Sequence, residues 1–141
     1  MKFLLDTCVI SELTRKQPAR TVINWIASQD ELQLFLSVIT LGEIEKGIGK
    51  LPDRHKRQVL RQWLASDLPR RFAGRILPVD AETALRRGEI SAEAEKKGHP
   101  VPVLDGLMAA SALVHGLTLV TRNTADVAGT PVPVLDPWID N

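Results

Sequence analysis

Lys2-Phe3-Leu4-Leu5-Asp6-Thr7-Cys8-Val9-Ile10-Ser11-Glu12-Leu13 is the stretch on which the fold turns. Residues 2–5 read as a short buried strand that stops at the polar pair Asp6-Thr7. From Val9 to Leu13 the apolar spacing becomes helical. A strand that hands over directly to a helix is the first step of an α/β layer fold with a mostly parallel sheet.

The same alternation continues downstream. Residues 19–28 predict an amphipathic helix with Val22, Ile23, Trp25 and Ile26 on its apolar side, and Leu32 to Val38 a second strand rich in β-formers. A helix follows from about Leu41 to Leu51. Pro52-Asp53 breaks it, and Asp53 can cap a long basic helix from Arg54 to about Ser66, with Val59, Leu60, Trp63 and Leu64 as its buried face. Arg75 to Val79 is a short strand, and Asp80 begins a helix that stops at Gly98-His99-Pro100. The next helix opens at Leu104 or Asp105 and runs through an Ala-rich, strongly apolar stretch to His115, where Gly116 ends it. Leu117 to Thr121 and Val132 to Leu135 complete the strands. The expectation is a small, mostly parallel sheet flanked by helices in three α/β/α layers. No repeat or linker divides the chain, so residues 1–141 are expected to form a single domain.

At 141 residues such a domain buries roughly two thirds of its unfolded surface, enough for a core without staples. The one cysteine, Cys8, excludes an internal disulfide and a Cys-based zinc cluster; it reads as a small buried apolar residue in a reducing compartment. With no leader pattern and no apolar run near the ~20 residues of a membrane helix, a cytoplasmic location with no membrane partner is expected. The net charge of +1 hides an asymmetry. Residues 1–79 hold 13 Lys/Arg against 8 Asp/Glu, and residues 80–141 hold 5 against 9. Between Arg54 and Arg75, seven basic residues face only Asp67, a stripe able to track a phosphate backbone or simply to form a solvated helix face.

Four separated carboxylates, Asp6, Glu43, Asp105 and Asp126, fall at strand ends or helix starts, which in a parallel sheet converge beyond the carboxyl edge. Oxygen donors without sulfur suit a hard cation, Mg²⁺ or Mn²⁺, rather than zinc. Each also has a local alternative. Thr40-Leu41-Gly42-Glu43 matches a capping box, Asp6 and Asp105 fit N-caps, and Asp126 fits a turn. Asp80 and Asp136 have turn or cap explanations and no partner motif. His55, His99 and His115 match no ligand spacing.

Four segments, in order, carry a family resemblance. Leu4-Leu5-Asp6-Thr7-Cys8-Val9-Ile10-Ser11-Glu12-Leu13 resembles the opening motif of the PIN-domain family, specifically its VapC/FitB-like ribonuclease toxins. Residues 37–47, with Glu43, resemble the second motif; residues 103–112, with Asp105, the third; and Leu119-Val120-Thr121-Arg122-Asn123-Thr124-Ala125-Asp126-Val127 the fourth, with the Pro137-Trp138 ending also fitting. The resemblance implies a small parallel sheet flanked by helices and Mg²⁺-dependent endonucleolytic cleavage of RNA, with Mn²⁺ as a substitute ion. It places Asp6 and Asp105 as metal ligands and Glu43 as the third carboxylate, with Asp126 the nearest spare carboxylate for a fourth catalytic place. Where many members carry an acid two residues after the threonine, this chain has Asn123, which offers only a neutral carbonyl.

Thr7, Ser11 and Thr121 are hydroxyls able to orient a carboxylate or bound water, and Arg122 can contact a phosphate. The resemblance further implies a cognate antitoxin covering the acidic cleft, and a homodimer or a larger complex with that antitoxin. Two rivals remain beside the toxin nuclease. One is a catalytically inactive PIN-fold module that binds RNA or protein. The other is a phosphatase with Asp6 as nucleophile, disfavoured because Cys8 stands where an acid–base aspartate is expected.

Overall fold

A computed structural model describes residues 1–139, so only Asp140 and Asn141 of the expected span lie outside the described residues. The chain runs β1 (Phe3–Leu5), α1 (Thr7–Leu13), α2 (Arg20–Ala27), β2 (Leu34–Ser37), α3 (Val38–Gly49), α4 (Arg54–Gln62), α5 (Leu68–Arg71), β3 (Ile76–Leu77), α6 (Ala81–Lys96), α7 (Val103–Val114), β4 (Thr118–Val120) and β5 (Val134–Leu135). Among the described residues five strands form one sheet in the order β3-β2-β1-β4-β5. Every pairing is parallel, with Phe3 opposite Leu34 on one side and Thr118 on the other.

Alternation along the central strand divides the core into two layers. Phe3 and Leu5 point into a cluster with Val9, Ile10, Val22, Ile26, Leu34 and Leu36, drawn from α1, α2 and β2. Leu4 points the other way, against Met108, Ala109 and Ala112 of α7 and Leu119 of β4. A strand covered on both faces is what the unbroken Phe3-Leu4-Leu5 run requires, and each fully buried leucine contributes roughly 1.5–3 kcal/mol. Trp25 is buried, its ring meeting Phe3 edge-on with centroids 5.0 Å apart. Alanines at 109, 110 and 112 let α7 lie close to the sheet, and α6 packs against α7.

Three local expectations change. Asp30 accepts the Leu32 N–H at 3.0 Å and closes a 3₁₀ turn over Glu31–Gln33, so the second strand starts at Leu34. Ser37 then accepts the Ile39 N–H at 3.1 Å and starts α3 at Val38, three residues before the expected Leu41. The basic helix does not end near Ser66. It passes through a π-helical turn, Trp63–Asp67, into α5, and its most buried anchors are Leu68 and the following Phe72, while Val59, expected inside, is 53% exposed.

Candidate active site

The strand order places β2 and β3 on one side of β1, and β4 and β5 on the other. The crevice where an open α/β sheet binds ligands therefore lies at the carboxyl ends of β1 and β4. Asp6 leaves β1 at this point. Its N–H donates to the Val120 carbonyl at 2.9 Å, extending the ladder by one bond and pinning the residue. Both carboxylate oxygens are engaged: Oδ1 accepts the Thr7 N–H at 2.8 Å, capping α1, and Oδ2 accepts the Thr121 hydroxyl at 2.7 Å. The N-cap alternative for Asp6 is thus real, yet it uses one oxygen only.

The local alternatives for Glu43 and Asp105 do not hold. With α3 starting at Val38, Thr40 is a buried residue inside the helix and Glu43 lies in its second turn, so no capping box forms. Helix α7 starts at Val103 behind Pro102, which makes Asp105 a first-turn residue and not a cap. That position favours a negative charge through the helix dipole. Its carboxyl nevertheless rises to about 6, through burial first and then the charges of Asp126, Asp6 and Glu43. The dipole is outweighed because desolvation and like charge both disfavour the anion. Asp126 lies exposed in a 3₁₀ turn over Thr124–Val127, and its charge acts on Asp105 more strongly than the other two.

The structure therefore brings all four carboxylates into one electrostatic neighbourhood. Among the described residues, no three of His, Cys, Asp or Glu close into a preformed metal cage. The donors still fit a hard divalent cation by type, since they are carboxylate oxygens whose mutual repulsion, felt at Asp105, is the field that a cation relieves.

Hydroxyls connect the elements behind the carboxylates. Thr121 Oγ1 also accepts the Asn123 N–H at 3.0 Å, so Asn123 contributes its backbone to the loop, with its side chain on the exposed surface. Thr7 Oγ1 donates to Thr40 Oγ1 at 3.2 Å, tying the start of α1 to the helix that carries Glu43. Ser11 joins Glu43 on the wall of a separate groove of about 220 Å³, whose apolar lining includes Ile44, Ile48, Leu60 and Trp63. The Arg122 guanidinium sits over the Trp138 ring, 5.1 Å from its centroid. Asp80 caps α6, accepting the Thr83 N–H at 2.9 Å, and Asp136 accepts the Trp138 N–H at 2.9 Å within a turn.

Sequence reasoning overlooked Thr40, whose spacing to Glu43 pointed to a cap, and for Cys8 it offered packing alone; the side chain does pack against the apolar core. The Cys8 thiol is half-buried and lies 3.8 Å from Asp6 Oδ2 and 3.7 Å from Thr121 Oγ1. Burial, followed by the Asp6 charge, pushes it up, so it stays a neutral thiol. The basic stripe is largely occupied within the protein. Arg57 donates to the Leu51 carbonyl, Arg61 pairs with Glu45 at 3.2 Å, and Arg71 pairs with both oxygens of Glu31. Arg75 spans the Glu31 and Leu34 carbonyls. Arg54, Lys56 and Arg70 are exposed. Among the described residues no helix is long and apolar enough to cross a membrane.

The chain is similar to known proteins. The PIN domain pattern matches residues 3–127. The chain is 39% identical over 137 residues to toxin FitB of Neisseria gonorrhoeae, covering 97% of this chain and 99% of that one. It is 33% identical over 135 residues to the VapC ribonuclease Y4jK of Sinorhizobium fredii, covering 96% of each. The crystal structure of FitAcB from Neisseria gonorrhoeae superposes with a TM-score of 0.93 at 38% identity, over 97% of this chain and 99% of that one.

Proposed function

The chain belongs to the PIN-domain family, and on that footing we propose that it is a divalent-metal-dependent endoribonuclease and the toxin of a toxin–antitoxin pair. The observation that carries this reading is the convergence of Asp126, Asp6 and Glu43 on Asp105. Asp6, Glu43 and Asp105 would hold Mg²⁺, for which Mn²⁺ could substitute, and such an ion would supply charge stabilisation at a phosphate oxygen and activation of water.

The residues of the chain do the rest. Thr121 and the Thr7 N–H fix both oxygens of Asp6 before any ligand arrives, so no carboxylate reorganisation accompanies binding. Asp126, exposed at the mouth, orients the attacking water. Arg122, steadied against Trp138, meets a phosphate beside the cleaved bond. Arg54, Lys56 and Arg70 supply sequence-independent affinity for the RNA backbone. The unit acts as a single domain, and as a homodimer. An antitoxin covers the apolar groove beside Glu43 with an apolar segment and the acidic mouth with a basic one, matching the chemistry of each surface.

Two other readings fit less well. A pure binding module has no use for a carboxyl whose proton affinity is raised by burial and then by three like charges, facing a phosphate polymer. A phosphatase needs an acid–base partner beside an Asp6 nucleophile; here the position two residues on is the neutral thiol of Cys8. RNA incubation with and without chelator tests the proposal: cleavage stops on chelation and returns with Mg²⁺ or Mn²⁺. Undiminished cleavage in a chelator overturns the metal-dependent reading. Co-expression with the small protein encoded beside it relieves growth arrest if the pairing is right; arrest that persists counts against the toxin–antitoxin part.

A further inference from the structure

Contacts to phosphate position a nucleic acid without reading its sequence, so base selection must come from surfaces beside the acidic mouth. Proteins read single-stranded RNA by taking an unstacked base into a cleft where its face stacks and its edges hydrogen-bond. One such cleft adjoins the mouth. It holds about 330 Å³, and its walls are Ala125, Asp126 and Ala128 on one side and Gly98, His99 and Pro100 on the other.

Both walls are braced. Gly98, at φ 76, ends α6, and the His99 N–H closes that end on the Ala94 carbonyl at 2.9 Å. Gly129 approaches the His99 carbonyl so closely that a Cβ there would stand 3.0 Å from the oxygen, which keeps the turn carrying Asp126 against the 98–100 loop. Small side chains leave backbone polar groups reachable, His99 contributes a flat ring, and Asp126 contributes an acceptor. His99, Ala128 and Gly129 also wall a larger groove of about 680 Å³, rimmed by Arg86, Lys97, Glu89 and Glu93. Its mixed charges offer passage to a strand more than affinity.

We propose that the cleft between the 98–100 loop and the 125–129 turn is a base-selecting subsite, taking the nucleobase of a single-stranded RNA nucleotide next to the cleaved phosphodiester. This rests on the ribonuclease reading and names what gives that site its sequence preference. Short single-stranded RNAs randomised on both sides of one cleavable bond, cut by wild type, His99→Ala and Ala128→Leu and sequenced, test it. Wild type favours one base at a single flanking position by roughly tenfold. Removing the ring, or filling the cleft from the opposite wall, flattens that preference to about threefold or less while the preference at other positions stays. Both positions are exposed, circular dichroism checks folding, and either variant alone decides the matter if the other fails to fold. Variant preferences that superimpose on those of wild type, or a wild type indifferent to base at every position, overturn the subsite alone. A wild type that cuts none of the RNAs instead overturns the ribonuclease reading, and the subsite with it.

Discussion

Thr121 Oγ1 donates a 2.7 Å hydrogen bond to Asp6 Oδ2 across 115 positions of sequence. The bond spans the carboxyl ends of β1 and β4, at the point where the strand order reverses. The same oxygen accepts the Asn123 N–H, so a single hydroxyl fixes a carboxylate and also the start of the turn that carries Asp126. Central strand, switch point and acidic mouth are thereby one hydrogen-bonded unit.

Thr121→Val keeps the shape and removes the hydroxyl. Asp6 Oδ2 and the Asn123 N–H then lose their partner in a buried setting, at a cost of about 1–3 kcal/mol. Support of this kind for a metal-binding carboxylate is worth about 10–100-fold in affinity or activity. Denaturant unfolding and Mn²⁺ titration are expected to show both losses, and Thr121→Ser to restore them. Wild-type Mn²⁺ affinity in the valine variant would leave Thr121 with a packing role only.

Asp105 sets a pH dependence. Its folded carboxyl is raised from 3.8 to about 6, so its contribution to stability is fully present below about 3.8 and is lost as pH rises through about 6. Asp105→Asn removes the charge, and with it the burial penalty and the repulsion from Asp126, Asp6 and Glu43. Without metal it is expected to unfold later than wild type at pH 7.5, by about 1 kcal/mol once solvent screening of a half-exposed group is allowed for, and to match wild type near pH 4. Equal stability at pH 7.5 would contradict the electrostatic picture.

A divalent cation reverses that order at neutral pH. Mg²⁺ at about 100 times its Kd stabilises the folded state by ~2.7 kcal/mol. Thermal melts at pH 7.5 are expected to rise with Mg²⁺ in wild type and to respond far less in Asp6→Asn and Asp105→Asn. At subsaturating Mg²⁺ cleavage increases as pH rises through about 6, where the proton leaves Asp105, and saturating Mg²⁺ moves that midpoint lower. A midpoint indifferent to metal concentration would separate the ion from Asp105.

Arg75 and Arg54 separate scaffold from substrate contact within the basic stretch. Arg75 bonds three carbonyls, those of Glu31, Leu34 and Arg71, and lies over the Phe72 ring, 5.1 Å from its centroid, whereas Arg54 is an exposed first-turn residue. Arg75→Ala is expected to cost about 2–3 kcal/mol of stability. Arg54→Ala stays within about 0.5 kcal/mol of wild type but weakens RNA binding and flattens its salt dependence. Filter binding across a salt series, beside denaturant melts, distinguishes them.

Much of this was legible in the chain because local rules agreed with the global fold. Apolar strands, the Asp80 cap and the Gly98 stop gave the α/β order. What misled were residues with two valid local readings. Leu32 and Val38 look like strand, but Asp30 and Ser37 supply side-chain caps that turn their neighbours into a 3₁₀ turn and a helix. Thr40 and Glu43 keep capping-box spacing inside a helix that begins elsewhere. Cys8 packs against the core as its residue type suggests, but sequence carries no sign that its thiol also meets Asp6 and Thr121 from opposite ends of the chain. The occupation of Arg57, Arg61, Arg71 and Arg75 by partners within the protein likewise emerges only once α4 and α5 are packed.

The most direct test of the central claim is cleavage-site mapping on total cellular RNA with wild type and Asp6→Asn, each with and without Mg²⁺. Discrete new 5′ ends are expected with wild type plus Mg²⁺ alone, from an Asp6→Asn protein that still folds. The same ends at the same yield from Asp6→Asn, or from wild type without metal, would contradict the account.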